Sequence, residues 1–293
     1  MTVTGWQRLA VAVVALFIAV LVLWRVRPRQ ESTTTGATAV SAAEREAVRR
    51  FWDLYRSGTG HRIAGRTQQA VDDYVAALAL NERHEDALYY LGNMYLTLGQ
   101  FVDAERTWKR LVEVNPMSAR AHSRLGDLHL CLEEGAPFDL SAAQADFERA
   151  LQIYKEETGP VLRLGQIALL RGDLAGARAH FDAVVGSNFR SVEAYFLQGF
   201  IAWHEGDQGK ASTLLARAAQ YARPVESESG VAGEGDTKAG ASPMVVQQAR
   251  CRLFQPHVED LGQLEESDIP AQLDRRYRRV RGLLGQVRRK LSA

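Results

Sequence analysis

Seven histidines and two cysteines carry most of the metal-binding and nucleophilic potential of this 293-residue chain. His122, His129 and Cys131 lie close together. On a helix, however, positions 122 and 129 are two turns apart and 131 falls on another side, so they read as surface or packing residues rather than a ligand set. Cys251 stands near Phe254 and His257, and a site within 225–270 is the one place where an enzyme-like or cofactor-handling role finds support. The Gly-Asp pairs at 172–173 and 206–207 lack the alternating oxygen ligands of a calcium loop and read as turns. No nucleophile elbow, phosphate-binding loop, dinucleotide fingerprint or paired-histidine zinc motif is present. Two cysteines so far apart do not make a disulfide framework; they read as small buried hydrophobes and imply no redox compartment. The reading is a non-enzyme with no cofactor and no metal.

Binding chemistry is better represented. Phe196, Phe200 and Trp203 follow i, i+4, i+7 spacing, a stripe of large aromatics that serves either core packing or a ligand anchor. Arg120, Arg124 and Arg163 offer cations, though solvated helix faces carry such residues too. The tail has an apolar seam of Leu273, Tyr277, Val280, Leu284, Val287 and Leu291 at alternating four- and three-residue steps. Basic side chains cover the rest of it. This basic amphipathic helix, 268–293, suits a cap on the domain, a partner helix, or anionic lipid.

Elements that could position these groups are clearest in 85–118. Leu88, Leu91 and Tyr95 share a helix face with Gly92, where a missing side chain admits another backbone. Gly99-Gln100 makes a turn. Phe101, Ala104, Trp108 and Leu111 then form the inward stripe of a second helix, and Asn115-Pro116 ends it. This small-against-large pattern over 34 residues resembles the tetratricopeptide repeat (TPR). The pattern recurs five times between 44 and 222, giving an all-α helix-turn-helix solenoid of about five repeats with C-terminal helices. The first unit is the least regular, with Phe51, Leu54 and Gly58 in its first helix. The third has a long surface turn, residues 133–141. Ser41 and Glu44 are spaced as a capping box for the first helix.

Residues 9–24 are an apolar run bracketed by Trp6 and Trp24, and read as an uncleaved transmembrane helix within a 1–28 anchor. A tether, 29–43, leads to the solenoid at 44–222. A Gly/Ser/Glu-rich linker, 223–243, precedes a C-terminal helical segment, 244–293, with helical character at 244–254. Arg25, Arg27 and Arg29 follow the run while Arg8 precedes it, a small bias towards a cytoplasmic domain, with a periplasmic one as the alternative. A net charge of +1 supplies no global basic field, so no nucleic-acid partner is expected, although the basic tail keeps that alternative open.

The whole resembles single-pass TPR proteins of bacterial envelopes, which serve as assembly factors, chaperone-like adaptors or quality-control scaffolds. That resemblance implies bacterial inner-membrane anchoring and a protein partner whose peptide or helix lies in a concave groove lined by the first helix of each pair. Carried over by position, the lining is Tyr89, Asn93, Arg120, Ser123, Arg124, Asp127, Leu162, Arg163, Gln166, Phe196, Phe200 and Trp203. Some family members clamp a chaperone's terminal carboxylate. Asn93 and Arg163 match that clamp, Arg124 replaces a second asparagine, and Tyr89 and Gly159 replace its lysines.

Overall fold

Each helix pair begins and ends where local chemistry requires. Ser41 and Glu44 form the expected capping box, with Glu44 N donating to Ser41 Oγ at 3.1 Å and Ser41 N to Glu44 Oε2 at 2.7 Å. Asp139, Asp173 and Asp207 accept from backbone amides of the first turn of their helices. Gly99 and Gly172 close helices in the left-handed conformation, at φ 75° and 86°. The Gly-Asp pairs are thus repeat turns, with Gly206 also at positive φ.

The computed structural model describes residues 41–224 and 250–292. In chain order the helices are α1 (Ala42–Ile63), α2 (Thr67–Leu80), α3 (Glu85–Leu98), α4 (Phe101–Val114), α5 (Ala119–His129), α6 (Leu140–Ile153), α7 (Thr158–Arg171), α8 (Leu174–Ser187), α9 (Val192–His204) and α10 (Gln208–Ala222). These ten make five helix pairs, each packed on the next. A strap from residue 250 then passes through three short 3-10 turns into α11 (Ile269–Ser292). Among the described residues no helix is long and apolar enough to cross a membrane. The 9–24 run and most of the tether and linker lie outside them. Residues 250–254 are turns, not the expected helix: Cys251 has φ 65° and Pro256 follows closely.

Within a pair the two helices approach so closely that the first must omit a side chain. A Cβ at Gly92 would collide with the Trp108 indole; at Gly126 it would stand 2.7 Å from Phe147, and at Gly165 2.6 Å from Phe181. Trp108, Phe147 and Phe181 are all buried at the same place in α4, α6 and α8. In α10 that place is held by the smaller Leu215, and Gly199 is met instead by Tyr277 of α11.

α11 therefore packs on the last two pairs, against α7, α9 and α10. Five of its six seam residues are buried and Leu291 is exposed. The apolar seam is thus covered largely by the chain's own last two pairs. Arg276 holds the strap to the helix by a bidentate pair with Asp260, at 2.7 and 2.8 Å. Trp203 Nε1 donates to Asp274 at 2.8 Å.

The two cysteines contradict the sequence expectation. Cys131, just past α5, and Cys251, in the strap, form a disulfide across 120 residues. Separation in sequence hid a pairing that tertiary packing creates. Arg250 reinforces it, donating to Thr97 O at 2.8 Å and pairing with Glu133 at 3.1 Å.

Two outcomes are expected. Gly92→Leu should lower stability by on the order of 1–3 kcal/mol through overpacking, whereas Gly199→Leu should chiefly expel Tyr277 and loosen α11. Hydrogen exchange checks this: deprotection confined to 269–292 in the Gly199 variant, and spread over α3 and α4 in the Gly92 variant. Opening the disulfide removes the constraint on a 120-residue loop, worth on the order of 4–5 kcal/mol in the chain-entropy account. Cys131→Ser should thus lower the denaturant midpoint, measured against the oxidised parent.

Candidate functional site

The first helix of each pair presents residues spaced three or four apart on one face, so α3, α5, α7 and α9 together offer a continuous strip. The structure divides that strip in two. Over α9 it is filled by the chain itself: Phe196, Phe200 and Trp203 are buried, their ring centroids 5.3, 6.0 and 6.0 Å from that of Tyr277. The aromatic stripe packs under α11 instead of lining an open groove.

Over α3, α5 and the start of α7 the strip opens into a cavity of about 200 Å³. Of the residues carried over by position, Tyr89, Arg120, Ser123, Arg124, Asp127, Leu162 and Arg163 line it, and they are joined by Arg252 from the strap. Asn93 and Gln166 do not line it.

A network of charge holds these walls. Arg124 donates from Nε and Nη2 to the Tyr89 hydroxyl, each at 3.3 Å, and pairs with Asp127 at 3.5 Å. Arg120 pairs with Asp86 and lies 4.7 Å over the Tyr89 ring. Arg163 is buried, not a solvated face residue. It donates to Asp127 at 3.1 Å and Gln166 at 2.8 Å, and lies 3.4 Å from Glu193, whose carboxylate also accepts from Gln166 at 2.6 Å. Burial opposes the charge of Arg163, but Glu193 and Asp127 outweigh it and raise its pKa. Arg252 is the reverse case: burial, then the positive charge of Arg163, depresses its pKa, with Asp127 and Glu193 offsetting only part.

Sequence reading missed Glu193 and Arg252. Glu193 sits on the next repeat, and Arg252 comes from the strap, beside Cys251, which is bonded to Cys131 at the end of α5. The other cysteine-associated cluster, Cys131, Glu133 and Cys251, brings candidate metal ligands together, but both sulfurs are in the disulfide and Glu133 pairs with Arg250.

His122 and His129 converge on a residue no sequence spacing marked. Asp146 of α6 lies 3.4 Å from His122 Nδ1 and 3.0 Å from His129 Nδ1, and His129 Nε2 is 3.5 Å from Glu105 of α4. His129 thus joins three helices. Burial disfavours its cation, yet the hydrogen bond and charge of Asp146, with Glu105 adding, raise its pKa above 6.5. Burial likewise opposes the Asp146 carboxylate, and the two histidines lower its pKa below 3.8.

A folded-state pKa raised for His129 gives stability that is full below 6.5 and lost as pH rises through the raised value. The Asp146 contribution is present above 3.8 and lost on acidification. Thermal unfolding should therefore show the stability gap between parent and His129→Gln at its full size below pH 6.5 and shrinking as pH rises through the raised His129 pKa. A gap independent of pH would mean that His129 is not charged in the folded protein.

Comparison with known proteins places this geometry. Two descriptions of the tetratricopeptide repeat match residues 61–128 and 162–226. Among solved structures, that titled a functional characterization of Pseudomonas aeruginosa pilF is 17% identical, covering 80% of this chain and 93% of its own, with TM-score 0.54. MamA residues 41-end from Desulfovibrio magneticus RS-1 are 14% identical, covering 64% of this chain and 100% of their own, with TM-score 0.51. At such identities the likeness concerns the fold alone. Superkiller complex protein 3 of Mus musculus is 28% identical over 148 residues, half of this chain but 9% of that protein. The chain thus spans a small part of its curated relative. The repeat matches and the five stacked helix pairs together identify a tetratricopeptide-repeat solenoid with a C-terminal helix.

Proposed function

We propose that this chain is a membrane-anchored protein-interaction scaffold or chaperone-like adaptor. It holds an extended segment of a partner protein along α3, α5 and the start of α7. The cavity between Tyr89, Arg124 and Arg163 carries the reading, because the described residues leave it open while the strap and α11 cover the strip over α9. Aromatic and guanidinium groups held by their own networks are preorganised for recognition, which limits the entropy lost on binding. TPR folds typically act as such non-catalytic scaffolds.

The N-terminal apolar run supports the anchor. The disulfide supports an oxidising compartment, the periplasmic side of a bacterial inner membrane, over the cytoplasmic side that the arginine count favours. The two signals differ in weight: the charge bias is small, whereas a cytosolic poise would keep both thiols reduced.

Photo-crosslinking side chains placed at Ser123 and, as a control, at exposed Val102 of α4 test the groove. Discrete crosslinks to a partner polypeptide are expected from position 123 and not from 102; equal yields from both would remove the groove from the interaction. Trapping thiols in intact cells tests the compartment. Cys131 and Cys251 should resist alkylation until reductant is added, and alkylation without reductant would return the domain to the cytoplasm.

A further inference from the structure

We propose that the exposed face of α11 is a docking surface for an anionic bilayer: its arginines meet the phosphates of acidic phospholipids while the apolar seam stays packed on the repeats. The proposal rests on the anchored reading above, because an anchor keeps the domain at high effective concentration beside a membrane.

Charge segregation is the observation that carries it. The chain as a whole has a net charge of +1. Residues 269–292 alone hold seven arginines and one lysine against one acid, Asp274, so the rest of the chain is net acidic. Helical periodicity puts Arg275, Arg278, Arg279, Arg289 and Lys290 on one side of α11, and all five are exposed. Gly282 and Gln286 lie between them, so the strip carries neither an acid nor a large apolar side chain. From Arg275 to Lys290 it runs about 22 Å.

Pairing within the fold leaves the strip its charge. Among the described residues the ion pairs of α11 are Arg276 with Asp260 and Arg278 with Asp274, and Arg275, Arg279 and Arg289 have none. Helices α7, α9 and α10, on which α11 packs, contribute one acid, Glu193, and it is buried against Arg163. The exposed acids Glu265, Glu266 and Asp268 stand before the first turn, at the positive end of the helix dipole, and leave the C-terminal part of the strip clear.

An amphipathic helix that inserts into a bilayer does so with its apolar face. In α11 that face is already in use, since Leu273, Tyr277, Val280, Leu284 and Val287 are buried. Contact is therefore by charge without insertion, and depends on salt and on anionic headgroups. Arginine suits phosphate oxygens through its paired N–H donors. A nucleic acid offers phosphates too, but an anchored domain in an oxidising compartment faces phospholipid, so the bilayer is the occupant.

The test uses the full oxidised chain, carrying a donor dye at Gln286→Cys on the strip or, as a control, at Val102→Cys on α4. It is incorporated into nanodiscs of phosphatidylcholine, or of phosphatidylcholine with about one lipid in three replaced by phosphatidylglycerol, each with an acceptor dye on its headgroups. In anionic discs at low salt, energy transfer from position 286 should exceed that from position 102. The excess should vanish in neutral discs, and in anionic discs at about 0.5 M salt. Each cation near an anionic surface contributes about fivefold to association. Arg275→Gln/Arg279→Gln/Arg289→Gln should therefore lower the ratio of docked to free domain about a hundredfold, with thermal unfolding unchanged. Arg275→Lys/Arg279→Lys/Arg289→Lys should dock as the parent does. No excess in anionic discs overturns the proposal and leaves the anchor standing, whereas a chain that enters discs of neither lipid overturns the anchored reading and the proposal with it. An excess that survives the Gln substitutions or high salt removes the strip from the contact. An RNA oligonucleotide that raises the anisotropy of the position-286 dye in neutral discs, with no excess transfer in anionic ones, assigns the strip to nucleic acid instead.

Discussion

Steric room at one helix crossing governs this structure. A glycine at the middle of the first helix lets the aromatic ring of the second reach the backbone, and that contact, Gly92 with Trp108 and its counterparts, sets how each pair closes. Close-packed interiors tolerate neither an added methylene nor a void, so the residue opposite the glycine has to fill the space. In the last pair it does not. Leu215 is smaller than the rings at its counterparts, and Tyr277 of α11 comes in from outside the repeats. The cap on the array follows from one undersized residue as much as from the apolar seam that it also covers.

That cap has a functional side. A repeat strip is a binding surface only where nothing of the chain's own lies on it, and here α11 and the strap occupy the part over α9. Among the described residues what is left is short, polar and walled by Arg124 and Arg163, whose partners lie within the fold, and by Arg252. Affinity in such a site comes from a few preorganised groups rather than from area. The self-filled half contributes rigidity, since the strap's Phe254, Val258 and Leu261 share a core with Phe196 and Phe200.

Legibility in the sequence followed the range of each interaction. Helix pairs were readable because their signals, Gly92 against Trp108 or the Ser41–Glu44 box, lie within one repeat or one turn. The α11 seam was readable as an apolar face suited to a cap on the domain, and it packs on the last two pairs, but its contact with Gly199 was not readable, because Tyr277 meets that glycine across a gap that no periodicity spans. Seven of the residues carried over by position in the repeat line one cavity. The aromatic stripe left two readings open, and packing under α11 is the one the structure shows. Asp146, Glu193 and Arg252 escaped because each joins elements whose proximity exists only in three dimensions. The cysteine pair was misread for that reason, and it alone changes the compartment argued for.

The disulfide has a topological result as well. Cys131 and Cys251 lie on opposite sides of residues 225–249, so they bracket the whole of that stretch. A protease cutting anywhere within it would sever the peptide chain but leave the C-terminal fragment joined to the repeats through sulfur. Such a two-chain form would run as one species without reductant and as two with it, and would keep α11 at its dock at an effective concentration set by the tether.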